Sequence, residues 1–240
     1  MIARQLDHFT TATLDAAKWQ PLQIPLEGGE FWRYEDKDAQ VSTKQGVLEI
    51  CLPRFQSRHD HISMFDNPKH LMVMEELVTI EADRVTTLSC EMDCENHNGN
   101  PDDLLDGFVA MSLCDPASGL VFDFIISETR VGMIHERLAL PGITPPGEDW
   151  LHVIQTPLLT QDARGEFHRY EIRFDHRAGC CEWLADGRLA YRARLPAHVR
   201  NIMVGVGLFT LRAQIPGRGS VSNRGQGATG RWRNLEVTVE

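Results

Sequence analysis

The segment from Phe167 to Tyr191 constrains the fold more than any other part of this chain. Tyr170, Ile172 and Phe174 alternate with Arg169, Glu171, Arg173 and Asp175, the period-two pattern of a strand with one face in a core and the other in water. A turn around Asp175 to Gly179 sends the chain back through Trp183. Asp186-Gly187 then turns it again into Leu189 and Tyr191, because Asp-Gly supplies the positive φ that two-residue hairpins need. Two consecutive hairpins predict an antiparallel sheet. The remainder reads the same way, as short strands over 46–53, 71–80, 87–95, 108–114, 120–127, 131–138, 152–156, 180–185, 189–195, 202–211 and 232–239, with Gly, Pro, Asn and Asp between them. Helix signals are weak; Leu14 to Trp19 predicts one turn, with Asp15 near its start. So many short strands predict an all-β sandwich or jelly roll.

No repeat, low-complexity block or linker divides the chain, so residues 1–240 are expected to form one domain. Two stretches read as long loops of the kind that often bind ligands or cover sites: Pro141 to Leu151 and the Gly-, Ser- and Arg-rich Ile215 to Gly230. The formal net charge of −10 argues against nucleic acid, whose phosphates demand a basic stripe, and against an anionic membrane surface. No apolar run reaches membrane-span length. Met1 to Phe9 lacks a secretory pattern, and the cysteines, Cys51, Cys90, Cys94, Cys114, Cys180 and Cys181, lack paired metal spacing. They read as reduced thiols of a cytoplasmic protein.

Across nearly its whole length the chain resembles the concanavalin A-like lectin/glucanase superfamily. Phe9, Leu14-Asp15 and Lys18-Trp19 look like the "F…LD…KW" opening of its laminarinase- and lichenase-type members. Val41 and Gly46 to Ile50 resemble the second strand pair, and Phe167 to Tyr191 the "FHxY…W…DG" segment. Trp232 to Val237 resembles the closing strand that returns beside the first. Asp66-Asn67-Pro68-Lys69-His70, Asp106-Gly107-Phe108 and Gly225 to Trp232 are similar to segments of an uncharacterised bacterial group within the superfamily. The resemblance implies a concanavalin A-like jelly roll of two antiparallel sheets, one of them curved, with a ligand groove on its concave face.

Glu91-Met92-Asp93-Cys94-Glu95 reproduces the "E-x-D-x-E" pattern of the retaining glucanases. On a strand these three carboxylates share one face, where mutual repulsion raises at least one pKa. A retaining glycosidase uses two such groups about 5–5.5 Å apart as nucleophile and acid/base. Strand order argues otherwise: by the resemblance the catalytic position falls on Val121 to Ile125, which keeps only Asp123, and Glu91 to Glu95 fall on an earlier strand lining the groove. A solvated acidic face is the alternative.

Asp123 lies in an apolar run, so it is either paired with a cation or functional. Glu136 follows on the next strand, sharing its face with Ile134 and Leu138; an ion pair with an arginine is the plainer reading. Asp123 and Glu136 are the candidate catalytic acid and base. Glu91, Asp93, Glu95, His97, Lys69, His70, Arg137, Arg212 and Gln226 are candidate ligand contacts, with 215–230 as a cover. His59-Asp60-His61 has the spacing of a metal-binding pair, but an exposed loop is the preferred reading and no metal ligand is assigned. Asn96 to Asp103 is rich in oxygen donors that suit calcium and equally in plain turn formers, so no cofactor is expected beyond calcium there.

Three functions follow. The leading one is acid/base chemistry on a small organic molecule (isomerisation, cyclisation or hydrolysis), with specialised metabolism as the setting. The alternatives are a carbohydrate-binding module and a glucanase-like hydrolase using Glu91 and Glu95. Aromatic residues make up only 8% of the chain, which weakens readings that depend on sugar stacking.

Overall fold

Alternation along the chain becomes two stacked antiparallel sheets. The computed structural model describes residues 1–25, 31–55, 68–156, 165–196, 198–212 and 225–240. Its strands are β1 (Ile2–Asp7), β2 (Trp19–Pro21), β3 (Gln23–Pro25), β4 (Phe31–Arg33), β5 (Gln40–Lys44), β6 (Val47–Leu52), β7 (Lys69–Met74), β8 (Val78–Thr79), β9 (Val85–His97), β10 (Phe108–Asp115), β11 (Leu120–Ile126), β12 (Val131–Arg137), β13 (Trp150–Gln155), β14 (His168–Asp175), β15 (Cys180–Ala185), β16 (Arg188–Arg194), β17 (Asn201–Phe209) and β18 (Gly227–Val239). The first sheet runs β16-β15-β14-β9-β18-β6-β5, with β1 also on β18. The second runs β13-β12-β11-β10-β17-β7-β2, with β8 on β17, and β3-β4 form a separate ribbon.

The double hairpin β14-β15-β16 forms as read. Asp186 and Gly187 have φ of 48° and 72°, the left-handed pair a tight hairpin requires. The closing strand β18 pairs antiparallel with β1, as the family resemblance implied. Asp15 opens the turn expected at Leu14 to Trp19: its carboxylate accepts the Ala17 N–H at 2.9 Å and its carbonyl accepts the Lys18 and Trp19 N–H groups.

Between the sheets, Leu88, Cys90, Met92 and Cys94 of β9 and Tyr170, Ile172 and Phe174 of β14 meet Val109, Met111 and Leu113 of β10 and Phe122 and Phe124 of β11. Two buried tryptophans of the first sheet reach across. Trp232 donates its indole N–H to the Ala110 carbonyl and Trp183 to the Asp123 carbonyl, each at 3.1 Å. These bonds satisfy the only polar atom of each ring where water cannot.

Residues opposite in parity to this core face outward. In the second sheet they are Lys69, Leu71 and Val73 of β7, Ser112 and Cys114 of β10, Val121, Asp123 and Ile125 of β11, and Ile134 and Glu136 of β12. Part of this outward face is closed by a smaller hydrocarbon cluster of Leu71, Val73, Leu104, Phe108, Ile125, Ile134 and Phe209, packed against Leu22 and Ile24. A pocket borders the cluster and shares Leu22, Ile24, Leu71, Val73 and Phe209 with it. Pro141 and Ile143, from the loop expected at 141–151, form part of its wall. In the loop expected at 215–230, residues 215–224 lie outside the described residues. Gly227 to Gly230 are not loop but the start of β18.

Candidate functional site

The pocket on the outward face of the second sheet has a volume of about 320 Å³. Its floor carries Ser112, Asp123 and Glu136, and Lys69 stands at one side. Leu22, Ile24, Leu138, Leu140, Pro141 and Ile143 make the walls hydrocarbon. That composition, apolar with a few convergent polar groups, is typical of small-molecule sites.

Strand register brings the two acids together. Asp123 of β11 lies opposite Ser112 on one side and Ile134 on the other, while Glu136 of β12 lies opposite Val121. Asp123 and Glu136 are therefore diagonal neighbours on one face, a backbone separation of about 7–8 Å that their side chains shorten. Asp123 is 5% exposed, and its Oδ1 accepts the Leu113 N–H at 3.1 Å. Burial pushes its carboxyl well above the usual carboxylate range. The Glu136 charge adds to that push, against weaker opposition from Ser112, the Leu113 amide and Lys69. Burial likewise pushes Glu136 up to about 7, with Lys69 pulling the other way. Two carboxyls this close in a hydrocarbon setting do not both ionise, so the pair retains a proton at neutral pH. Lys69 holds its ammonium 4.4 Å from the Tyr34 ring centroid and 5.6 Å from that of Phe209, at the pocket's side rather than on either acid. The Cys114 thiol, buried beside Asp123, is pushed up and stays protonated.

The other acids expected in the groove are elsewhere. Glu91, Asp93 and Glu95 do lie on one face of β9, but β9 is central in the first sheet, between β14 and β18. Its even-numbered positions fill the core, which sends the acids to the far side of the sandwich from the pocket. There each meets an arginine of β18. Arg231 Nη1 is 2.8 Å from Asp93 and its Nη2 3.4 Å from Glu95, while its Nε reaches Glu49 at 2.7 Å. Arg233 Nε donates to Glu91 at 2.7 Å and Asn234 donates to the other oxygen of that carboxylate at 2.8 Å. Register explains the pairing: Arg231 is directly opposite both Asp93 and Glu49, and Arg233 opposite Glu91. With these bonds the Glu91 carboxyl falls below its ordinary range despite the opposing effect of burial. The acids of β9 therefore do not share the pocket of Asp123 and Glu136, where the sequence reading placed them together.

Of the remaining candidates only Lys69 lines the pocket. His70 is buried on the opposite face of β7, where its Nδ1 accepts the Asp36 N–H at 3.2 Å. His97 Nε2 is 2.8 Å from Thr229 Oγ1 at the end of the first sheet. Arg137 is held by Glu148 at 2.6 Å. Arg212 pairs with Asp106 at 2.8 Å and Asp103 at 2.7 Å, and Gln226 is buried with its carbonyl bound to the Phe55 N–H. The oxygen-rich loop expected at 96–103 is thus organised around a guanidinium. The second oxygen of Asp106 accepts the Asn100 N–H at 2.7 Å. Among the described residues no three His, Cys, Asp or Glu side chains group as metal ligands. His59-Asp60-His61 and Asp66-Asn67 lie outside the described residues.

Ser112 and Cys114 were not legible as site residues. Each is one small polar side chain in an apolar strand, and only the register with β11 turns it toward Asp123.

From residue 6 to residue 240 the chain matches the model of a family of unknown function, DUF6081. It belongs to that family. No curated protein matches the chain. Among solved structures it is similar to the catalytic domain of an endo-1,3-β-glucanase (laminarinase) from Thermotoga petrophila, at 13% identity and a TM-score of 0.54, covering 100% of this chain and 96% of that one. The endo-β-1,3-glucanase of Pyrococcus furiosus gives 11% identity and a TM-score of 0.59, covering 100% and 94%. A β-1,3-1,4-glucanase (lichenase) from a mouse hindgut metagenome gives 17% and 0.51, covering 100% and 98%. At these identities the shared property is the fold, the two-sheet jelly roll of the laminarinases and lichenases. Membership in DUF6081 assigns no chemistry to the Asp123–Glu136 pair.

Proposed function

We propose that the protein binds a compact, largely hydrocarbon molecule carrying an oxygen function, and that Glu136, backed by Asp123, moves a proton on it. The reading rests on one observation: two neighbouring carboxyls face a hydrocarbon-walled pocket, and neither shares an ion pair with an arginine among the described residues. A carboxyl that keeps its proton near pH 7 is a competent general acid, and its ionised form a competent base. Lys69 would steady negative charge developing on the ligand oxygen. Isomerisation, cyclisation and hydrolysis all fit such a pair. The six free thiols suit a reducing compartment.

The likeness to glucanases supports a second reading, glycoside hydrolysis by Asp123 and Glu136 in place of Glu91 and Glu95. Diagonal placement on neighbouring strands is compatible with two-carboxylate chemistry. Against a long glycan, the walls are aliphatic and the aromatic faces are in use, Tyr34 under Lys69 and Phe209 stacked on Phe108 at 5.3 Å. A thermal-shift panel separates the two readings. Branched and cyclic hydroxy acids, keto acids and lactones should raise the melting temperature of the wild type and not of Glu136→Gln, whereas laminarin and lichenan should neither bind nor release reducing ends. Reducing ends released by wild type and lost in Glu136→Gln would establish the glycosidase instead. No response from any small molecule would refute the first reading.

A further inference from the structure

Strand register lays one row of side chains straight across the pocket floor and past it. Met203 of β17 is opposite Cys114 of β10, Cys114 opposite Val121 of β11, Val121 opposite Glu136 of β12, and Glu136 opposite Leu151 of β13. Residues directly opposite in an antiparallel pair share a face, so all five stand on the outward side of the second sheet. The row crosses five strands, about 19 Å at about 4.8 Å per step. Glu136 is its sole charged member and the direct neighbour of Leu151. Burial is greatest in the middle: Cys114 is 8% and Val121 5% exposed, Met203 and Glu136 are half-buried, and Leu151 is 42% exposed. Ile143, on the pocket wall, is 41% exposed. These exposures put a mouth of the pocket at Glu136, on the β13 side, with hydrocarbon on its threshold.

The acids therefore have hydrocarbon on both sides. Toward β17 and β7 lie Met203, Leu71 and the wall of Leu22 and Ile24; toward β13 lies Leu151. A single exposed leucine needs no explanation. One that continues the floor of a hydrocarbon pocket across its mouth enlarges the apolar surface a ligand can cover. A molecule with its oxygen at one end, and that oxygen at Glu136, covers the inner stretch alone and leaves Leu151 in water. A molecule with an internal oxygen function covers both. No cation stands in the row to hold a terminal carboxylate at the β13 end, so the outer arm is neutral as well as apolar.

We infer that the ligand carries its oxygen function internally, between two apolar arms, one enclosed by the pocket and the other leaving past Glu136 over Leu151 and Ile143. This rests on the reading of Asp123 and Glu136 as the reacting acids and extends the ligand beyond the part the pocket encloses. The probes are ketones with one pentyl arm and a second arm that grows: 2-heptanone, 4-nonanone and 6-undecanone. Each is titrated into the full chain carrying ¹³C-labelled Leu, Ile and Met methyl groups. Met203 reports filling of the pocket, and Leu151 and Ile143 report the outer arm. Met203 should shift with all three ketones, and Leu151 with the two longer ones. Affinity should rise about ten-fold or more from 2-heptanone to 6-undecanone, as each methylene leaves water. Leu151→Ser should bind 2-heptanone within about two-fold of wild type and cut that rise to about three-fold or less. Leu151 is exposed on an edge strand, so its replacement does not threaten folding. An undiminished rise in Leu151→Ser, or Leu151 methyls that stay still while Met203 shifts, overturns the outer arm and leaves the pocket reading standing. Failure of every ketone to move Met203 overturns both.

Discussion

The chain carries two sets of acids on strands, and they have opposite fates. On β9, Glu91, Asp93 and Glu95 lie across from Arg231 and Arg233, and every carboxylate finds a cation on the neighbouring strand. On β11 and β12, Asp123 and Glu136 lie across from Ser112, Ile134 and Val121, so their cross-strand neighbours supply no charge. The first set resembles a catalytic motif in sequence and is held in ion pairs with β18. The second has no motif and occupies the pocket. A carboxylate's partner in the register decides its role more than the spacing of acids along its own strand.

The comparison can be broken most severely at Arg231. Asp93 is fully buried and depends on that guanidinium, so Arg231→Ala leaves an uncompensated charge inside the first sheet. A loss of about 3–5 kcal/mol in urea denaturation is expected; a loss below about 1 kcal/mol would mean the β9 acids are not structural.

Glu136→Gln tests the other set, and there the sign reverses. In the folded chain Glu136 titrates at about 7, above its ordinary 4.5. Between those values the native state holds more protons than the unfolded state, so stability falls as pH rises through that window and levels off above it. Glu136→Gln should remove this decline and gain up to about 3 kcal/mol at pH 8 relative to its effect at pH 4. Parallel stability–pH curves for the two proteins would show that Glu136 is not perturbed.

Arg137 sharpens the contrast at the small end. It was a candidate ligand contact, yet it pairs with the half-exposed Glu148 outside the pocket. Arg137→Ala should cost less than about 1 kcal/mol and leave the Glu136 titration in place. A marked change in that titration would return Arg137 to the site.

Much of the scaffold is readable in the chain because its signals are local. Alternation in 168–175, the Asp186-Gly187 turn and the apolar runs of β10 and β11 each fix an element without reference to a distant one. Asp123 and Glu136 stood out by the same logic, as isolated acids among hydrocarbon. What sequence could not supply is the identity of each strand's neighbours. Placing β9 by strand order put Glu91 to Glu95 in the groove; its actual pairing with β18 joins residues 138 positions apart, Asp93 and Arg231, and nothing local encodes that. The same blindness concealed Ser112, which lies beside Asp123 only through the register of β10 with β11.

The central claim is that burial among hydrocarbon raises the Glu136 carboxyl to near neutrality. Carbon-13 NMR of the glutamate side-chain carboxyls, with Glu136 assigned from the signal lost in Glu136→Gln, measures this directly. A Glu136 midpoint near pH 7, beside unperturbed surface glutamates, is the predicted result. A midpoint near 4.5 would contradict the account, leaving Glu136 an ordinary solvated acid and the pocket without its chemistry.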